Sequence, residues 1–178
     1  MRGPLSGGGS SFPSFVDLSD VQFPVLPHGI YEGTIDDVLA MFVSSFSPND
    51  QRQKVFDGWS TFRTLIRSLV QVDEEYIDGS FVTKKPSPKD LDVSFWISAD
   101  NLNSMDPIYQ RFLENLMQSS KSYNVDAYIV PHCPPGHPQE AIFQYMLWTK
   151  DNWTRCRDKK GNLHPQSGPK KGYVRVVP

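Results

Sequence analysis

Two short runs of the sequence carry residue types suited to phosphate and metal chemistry. In the first, Gly79-Ser80, a small flexible residue and a hydroxyl follow an apolar tract, where backbone N–H groups can approach a phosphate closely. In the second, Asp90-Leu91-Asp92, alternation along a strand would place both carboxylates on one face. Magnesium prefers oxygen ligands and leaves positions for substrate phosphates. Together the runs predict a phosphoryl-transfer site; a turn glycine beside a solvated aspartate pair is the alternative interpretation.

The spacing of these runs resembles the signature of the polymerase-beta-like nucleotidyltransferase superfamily, in its minimal members. A group of short, functionally uncharacterised proteins of that superfamily is also similar to the chain from about Pro24 to Val176. That similarity rests on Leu26–Glu32, Ile77–Thr83 and Lys171–Arg175. The resemblance implies one nucleotidyltransferase-like domain. It departs at Asp78, where the superfamily usually has an apolar residue, and a fourth acid there is expected to repel nucleotide.

The resemblance also implies a third carboxylate on a strand one helix later, and Asp126 occupies that place. Asp90, Asp92 and Asp126 would then be the catalytic residues and the ligands of two magnesium ions. Gly79 and Ser80 would bind the nucleotide phosphates. The lysines expected to assist in nucleotide binding are Lys84, Lys85 and Lys171.

The implied activity is transfer of a nucleoside monophosphate from a nucleoside triphosphate to a hydroxyl of RNA or protein. Larger superfamily members carry a separate helical region that grips base and acceptor, and this chain lacks it, so the acceptor stays open. The alternative is a catalytically degenerate module with the same fold that binds a partner protein, as an antitoxin-like inhibitor would. Bound divalent metal would separate the two.

Two further sets of residues could carry chemistry. A zinc site would draw on His132, Cys133, His137, Cys156 and His164. Their spacing lacks the two short ligand pairs of a zinc module, so loop histidines and unpaired thiols are favoured. Of the tryptophans, Trp59 and Trp148 lie at helical spacing with other apolar residues and are expected in the core. Trp153, near two arginines, could stack on an acceptor nucleotide or cover the core.

Charge and composition limit the possible partners and the expected cellular location. Between Lys150 and Arg175 the net charge is +6, whereas the rest of the chain carries −8. The C-terminal quarter would therefore attract a polyanion, unless it is only a solvated basic tail. No run is long and apolar enough to span a membrane, and the first residues lack a secretory signature. With two cysteines, a reducing compartment and a cytoplasmic location are expected.

The elements that must position these residues follow from caps and periodicity. Helices are predicted to begin at Thr34, at Asn49 or Asp50, at Asp106 and at Gln139, the last running to Lys150. Strands are predicted at Glu75–Asp78, Leu91–Ile97, Val125–Val130 and Tyr173–Val177, with Pro131 ending the third. This alternation predicts an α/β (α+β) fold, a mixed sheet packed with helices. It would form a single domain over residues 34–178, after an irregular arm at residues 1–33.

Side-chain patterns predict which faces are buried. The core residues of the second helix are expected to be Val55, Trp59, Phe62, Ile66 and Leu69. In the third helix the expected apolar stripe is Ile108, Phe112 and Leu116. Along the second strand, Asp92, Ser94 and Trp96 should share one face, with the apolar residues between them on the other.

Overall fold

A mixed five-stranded sheet forms the centre of the protein. The computed structural model describes residues 12–48, 50–138, 140 and 153–178. The strands are β1 (Ile30–Gly33), β2 (Glu74–Asp78), β3 (Leu91–Ser98), β4 (Val125–His132) and β5 (Tyr173–Val176). Their spatial order is β1-β5-β2-β3-β4, in which β1 and β5 are parallel, β2 is antiparallel to both of its neighbours, and β3 and β4 are parallel. The predicted α+β fold is confirmed.

Four α-helices accompany the sheet in the described part of the chain. They are α1 (Ile35–Leu39), α2 (Asp50–Leu69), α3 (Ala99–Asn103) and α4 (Pro107–Gln118). A π-helical turn at Ala40–Ser44 follows α1, and a 3₁₀ turn at Ser120–Tyr123 precedes β4. The predicted helix at Gln139–Lys150, with Trp148, lies outside the described residues apart from Glu140. None of the described helices is long and apolar enough to cross a membrane.

Two of the predicted helix starts, at Thr34 and Asp106, are confirmed by their caps. At α1, the side chain of Thr34 accepts a hydrogen bond from the backbone of Asp37, whose carboxylate accepts one in return. At α4, the side chain of Asp106 accepts from the backbone of Ile108, and Pro107 takes the first helical position. The alternative cap Asn49 lies outside the described residues.

Helix α2 covers one face of the sheet. Its predicted core residues Val55, Trp59, Phe62 and Ile66 are fully buried, while Leu69 packs against the core with part of its surface exposed. They pack on the apolar face of β3, formed by Leu91, Val93, Phe95 and Ile97. The predicted alternation of β3 is therefore confirmed, and its polar face points away from α2.

The predicted apolar stripe of α4 is wrong at Ile108 and Phe112, while Leu116 does pack against the core. Ile108 and Phe112 are 65% and 57% exposed, whereas Leu113 is buried. Leu116 and Met117 are partly buried against the core. The residues 113, 116 and 117 also recur at helical spacing, so α4 contains two overlapping apolar stripes. Periodicity gives the width of such a stripe but does not say which one meets the core.

Both outer strands differ from expectation. Residues up to Gly33 were expected to be irregular, yet Ile30–Gly33 forms β1 by pairing with β5. A composition rich in Pro and Gly does not reveal a strand whose partner lies far along the chain. At the other edge, β4 runs past Pro131 to His132. Proline is tolerated there because an edge strand has one side without a strand partner.

Residues 12–29 do run irregularly across the domain. Phe12 and Leu26 are buried in the main core, and Val16, Val21 and Val25 contribute to isolated bridges. Single apolar side chains thus fix this segment to the domain.

Candidate functional site

Three aspartates lie side by side on the adjacent strands β2, β3 and β4. Asp78 at the end of β2 is the register partner of Asp92 in β3, and Asp92 is the register partner of Asp126 in β4. Residues directly opposite one another on paired strands project to the same face. That face is the one turned away from α2. Asp90, immediately before β3, adds a fourth carboxylate whose charge acts on Asp92.

The turn after β2 is built around a glycine that touches Asp92. Gly79 has a φ of +80°, a conformation that L side chains rarely adopt. A Cβ at this position would lie 1.7 Å from the Oδ2 atom of Asp92, closer than atoms can approach. Next to it, the carbonyl of Ser80 accepts hydrogen bonds from the backbone and hydroxyl of Thr83. Gly79 therefore brings the turn backbone directly against the Asp92 carboxylate.

The charge of Asp78, the acid expected to repel nucleotide, is offset within the protein. Its carboxylate forms an ion pair with Nζ of Lys171, and both side chains are almost fully buried. The backbone N–H of Gly79 also donates to Asp78. Lys171 immediately precedes Gly172 and β5, so this pair connects two neighbouring strands. The expected repulsion of nucleotide by Asp78 is thereby reduced.

The carboxyl group of Asp92 has a strongly raised pKa. Burial, together with the charges of Asp78, Asp90 and Asp126 and against the opposing charge of Lys171, raises the pKa of Asp92 to about 7. Like charges at short range disfavour ionisation of each other, so the site holds an excess of negative charge. A bound cation would relieve that excess.

In addition to Lys171, the ammonium group of Lys121 lies among these acids. Nζ of Lys121 lies 2.9 Å from Oδ2 of Asp126 and 3.4 Å from Oδ2 of Asp90. Within the described residues, no group of three or more Asp, Glu, His or Cys side chains is arranged to hold a metal ion as it stands. The carboxylate oxygens fit magnesium in their chemistry. Lys121 has to move before an ion can take its position.

The acids open into a cavity of about 590 Å³. Its lining includes the predicted residues Gly79, Ser80, Lys85, Asp90, Asp92, Asp126 and Lys171, together with Asp78. The further cations Lys89, Arg155 and Arg157 also line it, as does Trp153. The cavity thus has aspartates on the sheet and lysines and arginines around them. This combination suits a metal-bound polyphosphate.

The three predicted lysines have different positions. Lys85 lines the cavity, and Lys171 lines it while paired with Asp78. Nζ of Lys84 instead lies over the rings of Phe15 and Phe46, 4.9 and 4.8 Å from their centroids. The structure therefore brings two of the three lysines to the site.

Arg52 is a positioning residue that the sequence interpretation missed. Its fully buried guanidinium donates to the carbonyls of Phe81, Thr83 and Lys85, in the loop that follows Ser80. Burial lowers the pKa of Arg52 to about 10. A signal was present, since an arginine three residues before Val55 falls on the apolar stripe of α2.

The residues considered for zinc do not converge. Nε2 of His132 contacts Asp73 at 2.8 Å, that of His137 lies 3.6 Å from Asp100, and that of His164 lies 3.2 Å from the carbonyl of Asp20. Cys156 is buried in a small cluster with Val21 and Val25. Polar contacts and packing account for the three histidines and Cys156, while Cys133 is a free, partly exposed thiol.

The two described tryptophans of interest also have clear positions. Nε1 of Trp59 donates to Glu75 in the core, as expected of a packed side chain. Trp153 is partly buried against Tyr76 and Trp96 on the other face, and its ring meets Tyr128 edge-on at 6.1 Å. Since the hydroxyl of Tyr128 hydrogen-bonds to Asp126, an aromatic pair adjoins the acids.

Comparison with known families gives one match. The sequence profile of a family described as a family of unknown function, DUF6932, matches residues 20–177. No curated protein and no solved structure matches the chain. The matched region includes β1 and every residue of the cavity.

Proposed function

The chain belongs to DUF6932, a family of unknown function, and we propose that it is a magnesium-dependent nucleotidyltransferase. It would move a nucleoside monophosphate from a nucleoside triphosphate to a hydroxyl of RNA or protein. The observation that carries the proposal is the contact between Gly79 and Asp92, with Asp126 beside Asp92 in register. A turn able to approach phosphate is thereby joined to a row of carboxylates in one cavity.

The residues of the cavity divide the work of the reaction. Asp90, Asp92 and Asp126 would hold two magnesium ions, which when bound would neutralise the triphosphate and lower the pKa of the acceptor hydroxyl. The Gly79 backbone and the Ser80 hydroxyl would donate hydrogen bonds to phosphate oxygens. Lys85 would add positive charge beside them, and Lys171 would keep Asp78 neutralised. The acceptor oxygen would bond to the α-phosphorus as pyrophosphate leaves.

The test measures binding and transfer with the same protein preparations. Wild type should bind ATP or another nucleoside triphosphate with magnesium in calorimetry, and should transfer label from one of the four to RNA or protein of a cell extract. The Asp90→Ala, Asp92→Ala double variant should lose both activities by about a hundredfold or more. Glu114→Ala, which removes an exposed acid of α4, is the control and should behave as wild type. Unchanged triphosphate affinity in the double variant would refute the proposal.

The alternative, a degenerate module that binds a partner protein, has its own support. Lys121 bridges two of the three acids in the present arrangement. In addition, α4 exposes Ile108, Tyr109 and Phe112, large apolar side chains of the kind found in protein interfaces. A wild-type protein that binds neither magnesium nor triphosphate would favour this module. The cytoplasmic location and the acceptor class remain predictions.

A further inference from the structure

The position of Lys121 between two acids depends on a precise approach of α2. A Cβ at Gly58 would lie 2.0 Å from the carbonyl oxygen of Tyr123, so only glycine lets α2 touch the 3₁₀ turn that carries Lys121. Asn124 then turns the chain with a φ of +56°, and its N–H donates to the Lys121 carbonyl. The backbone of Lys121 is therefore held close to the start of β4.

Unlike its backbone, the side chain of Lys121 is not held by packing and is largely exposed to solvent. It is 60% exposed, while the Asp90 and Asp126 side chains that it contacts are 38% and 34% exposed. Exposed ion pairs of this kind contribute little free energy, since water solvates the separated charges well. The ammonium can consequently leave the acids for solvent without unfolding any element.

From this geometry we propose that Lys121 is an internal counter-cation that competes with divalent metal for Asp90 and Asp126, and so sets the metal affinity of the site. The inference rests on the proposed function only through the assignment of these acids as metal ligands. Without metal, the single charge of Lys121 limits the repulsion between carboxylates on adjacent strands. A divalent ion offers twice that charge at one point, and Lys121 then turns to solvent.

Removing the competitor should strengthen metal binding. Lys121→Met keeps most of the aliphatic stem and deletes the charge, so Mn²⁺ should bind about fivefold more tightly, as expected when an exposed ion pair is no longer displaced. Lys121→Arg retains a cation and should bind Mn²⁺ about as wild type does. Lys89→Met is the matched control, because it removes a positive charge from the lining of the same cavity. It should change Mn²⁺ affinity less than Lys121→Met does.

The measurement is the free Mn²⁺ signal in electron paramagnetic resonance, titrated with the full chain at constant pH. Thermal unfolding without metal supplies a second readout: Lys121→Met should unfold at a lower temperature than wild type and gain more from added Mn²⁺. Equal or weaker Mn²⁺ binding by Lys121→Met would overturn the inference, and so would an equal effect of Lys89→Met.

The outcomes also separate this inference from the proposed function. Tighter Mn²⁺ binding by Lys121→Met in a protein that transfers no nucleotide would support the competition and defeat the transferase. Transfer by a wild type whose metal affinity does not respond to Lys121 would do the reverse. Absence of Mn²⁺ binding in wild type and in Lys121→Met would overturn both.

Discussion

Glu75 and Asp92 lie on neighbouring strands of one sheet, and their surroundings differ in the sign of the charge beside them. Burial raises the pKa of both. Glu75 faces α2, where Arg63 and Arg67 contact its Oε2 atom at 2.8 and 3.1 Å. Asp92 faces the cavity, where three other carboxylates surround it and Lys171 is mainly engaged by Asp78. On the helix side of the sheet, positive side chains balance the buried carboxylate. On the cavity side, negative charge remains that a bound cation could neutralise.

The largest expected effect separates these two carboxylates by stability. Glu75→Gln leaves two arginines without their carboxylate and should lower the free energy of unfolding by about 3 kcal/mol. Asp92→Asn relieves repulsion and should leave the free energy of unfolding unchanged or raise it by up to about 1 kcal/mol. Urea unfolding of both variants without metal checks this. Similar losses in the two variants would show that the faces do not differ as described.

A smaller effect on stability should separate the clash with Asp92 from the strain of a positive φ alone. Gly79→Ala combines an unfavourable positive φ with a clash against Asp92, whereas Gly161→Ala has a φ of +89° and open space around the new Cβ. We expect a loss of about 1 kcal/mol for Gly161→Ala and about 2 kcal/mol more for Gly79→Ala. Triphosphate affinity should fall more for Gly79→Ala than for Gly161→Ala, because Gly161 also lines the cavity but a Cβ there meets no atom within 4 Å. Equal losses of stability would mean that the turn moves away from Asp92 at little cost.

The smallest effect concerns pH. The folded pKa of Asp92, about 7, lies above that of an unfolded aspartate, so the folded state holds this proton more tightly. The stability associated with the proton is full below about pH 4 and is lost as pH rises through about 7. The advantage of Asp92→Asn over wild type should therefore grow by roughly 1 kcal/mol between about pH 6 and about pH 8 in metal-free protein. Glu114→Gln serves as the control, and an advantage that shrinks with rising pH would contradict the assignment.

The helix side of this comparison was accessible from the sequence. The spacing of Val55, Trp59, Phe62 and Ile66 defines a single buried face of α2. The alternation along β3 likewise defines a single apolar face of the strand. Local patterns of this kind do not depend on distant partners. The fold class therefore followed from the sequence even where the boundaries of individual strands did not.

The sequence indicated which residue types line the cavity, but it did not indicate which residues they pair with. The run Asp90-Leu91-Asp92 indicated two acids of the cavity. Asp78 was expected to be a fourth acid that repels nucleotide, yet it is paired with Lys171, which lies just before β5 and far along the chain. Lys121 lies in a polar stretch that looks like the end of a helix. Only the close approach of α2 to the turn brings it to the acids.

The position of β5 has a consequence for how the protein is made. This strand, at Tyr173–Val176, lies between β1 and β2, which are translated long before it. Until the ribosome has released it, β1 and β2 have no strand between them, and Asp78 lacks its lysine. The sheet is thus completed by its most distant pairing, which is the slow kind of contact to form. Nascent chains that stop before residue 173 would contain all four acids but no finished site.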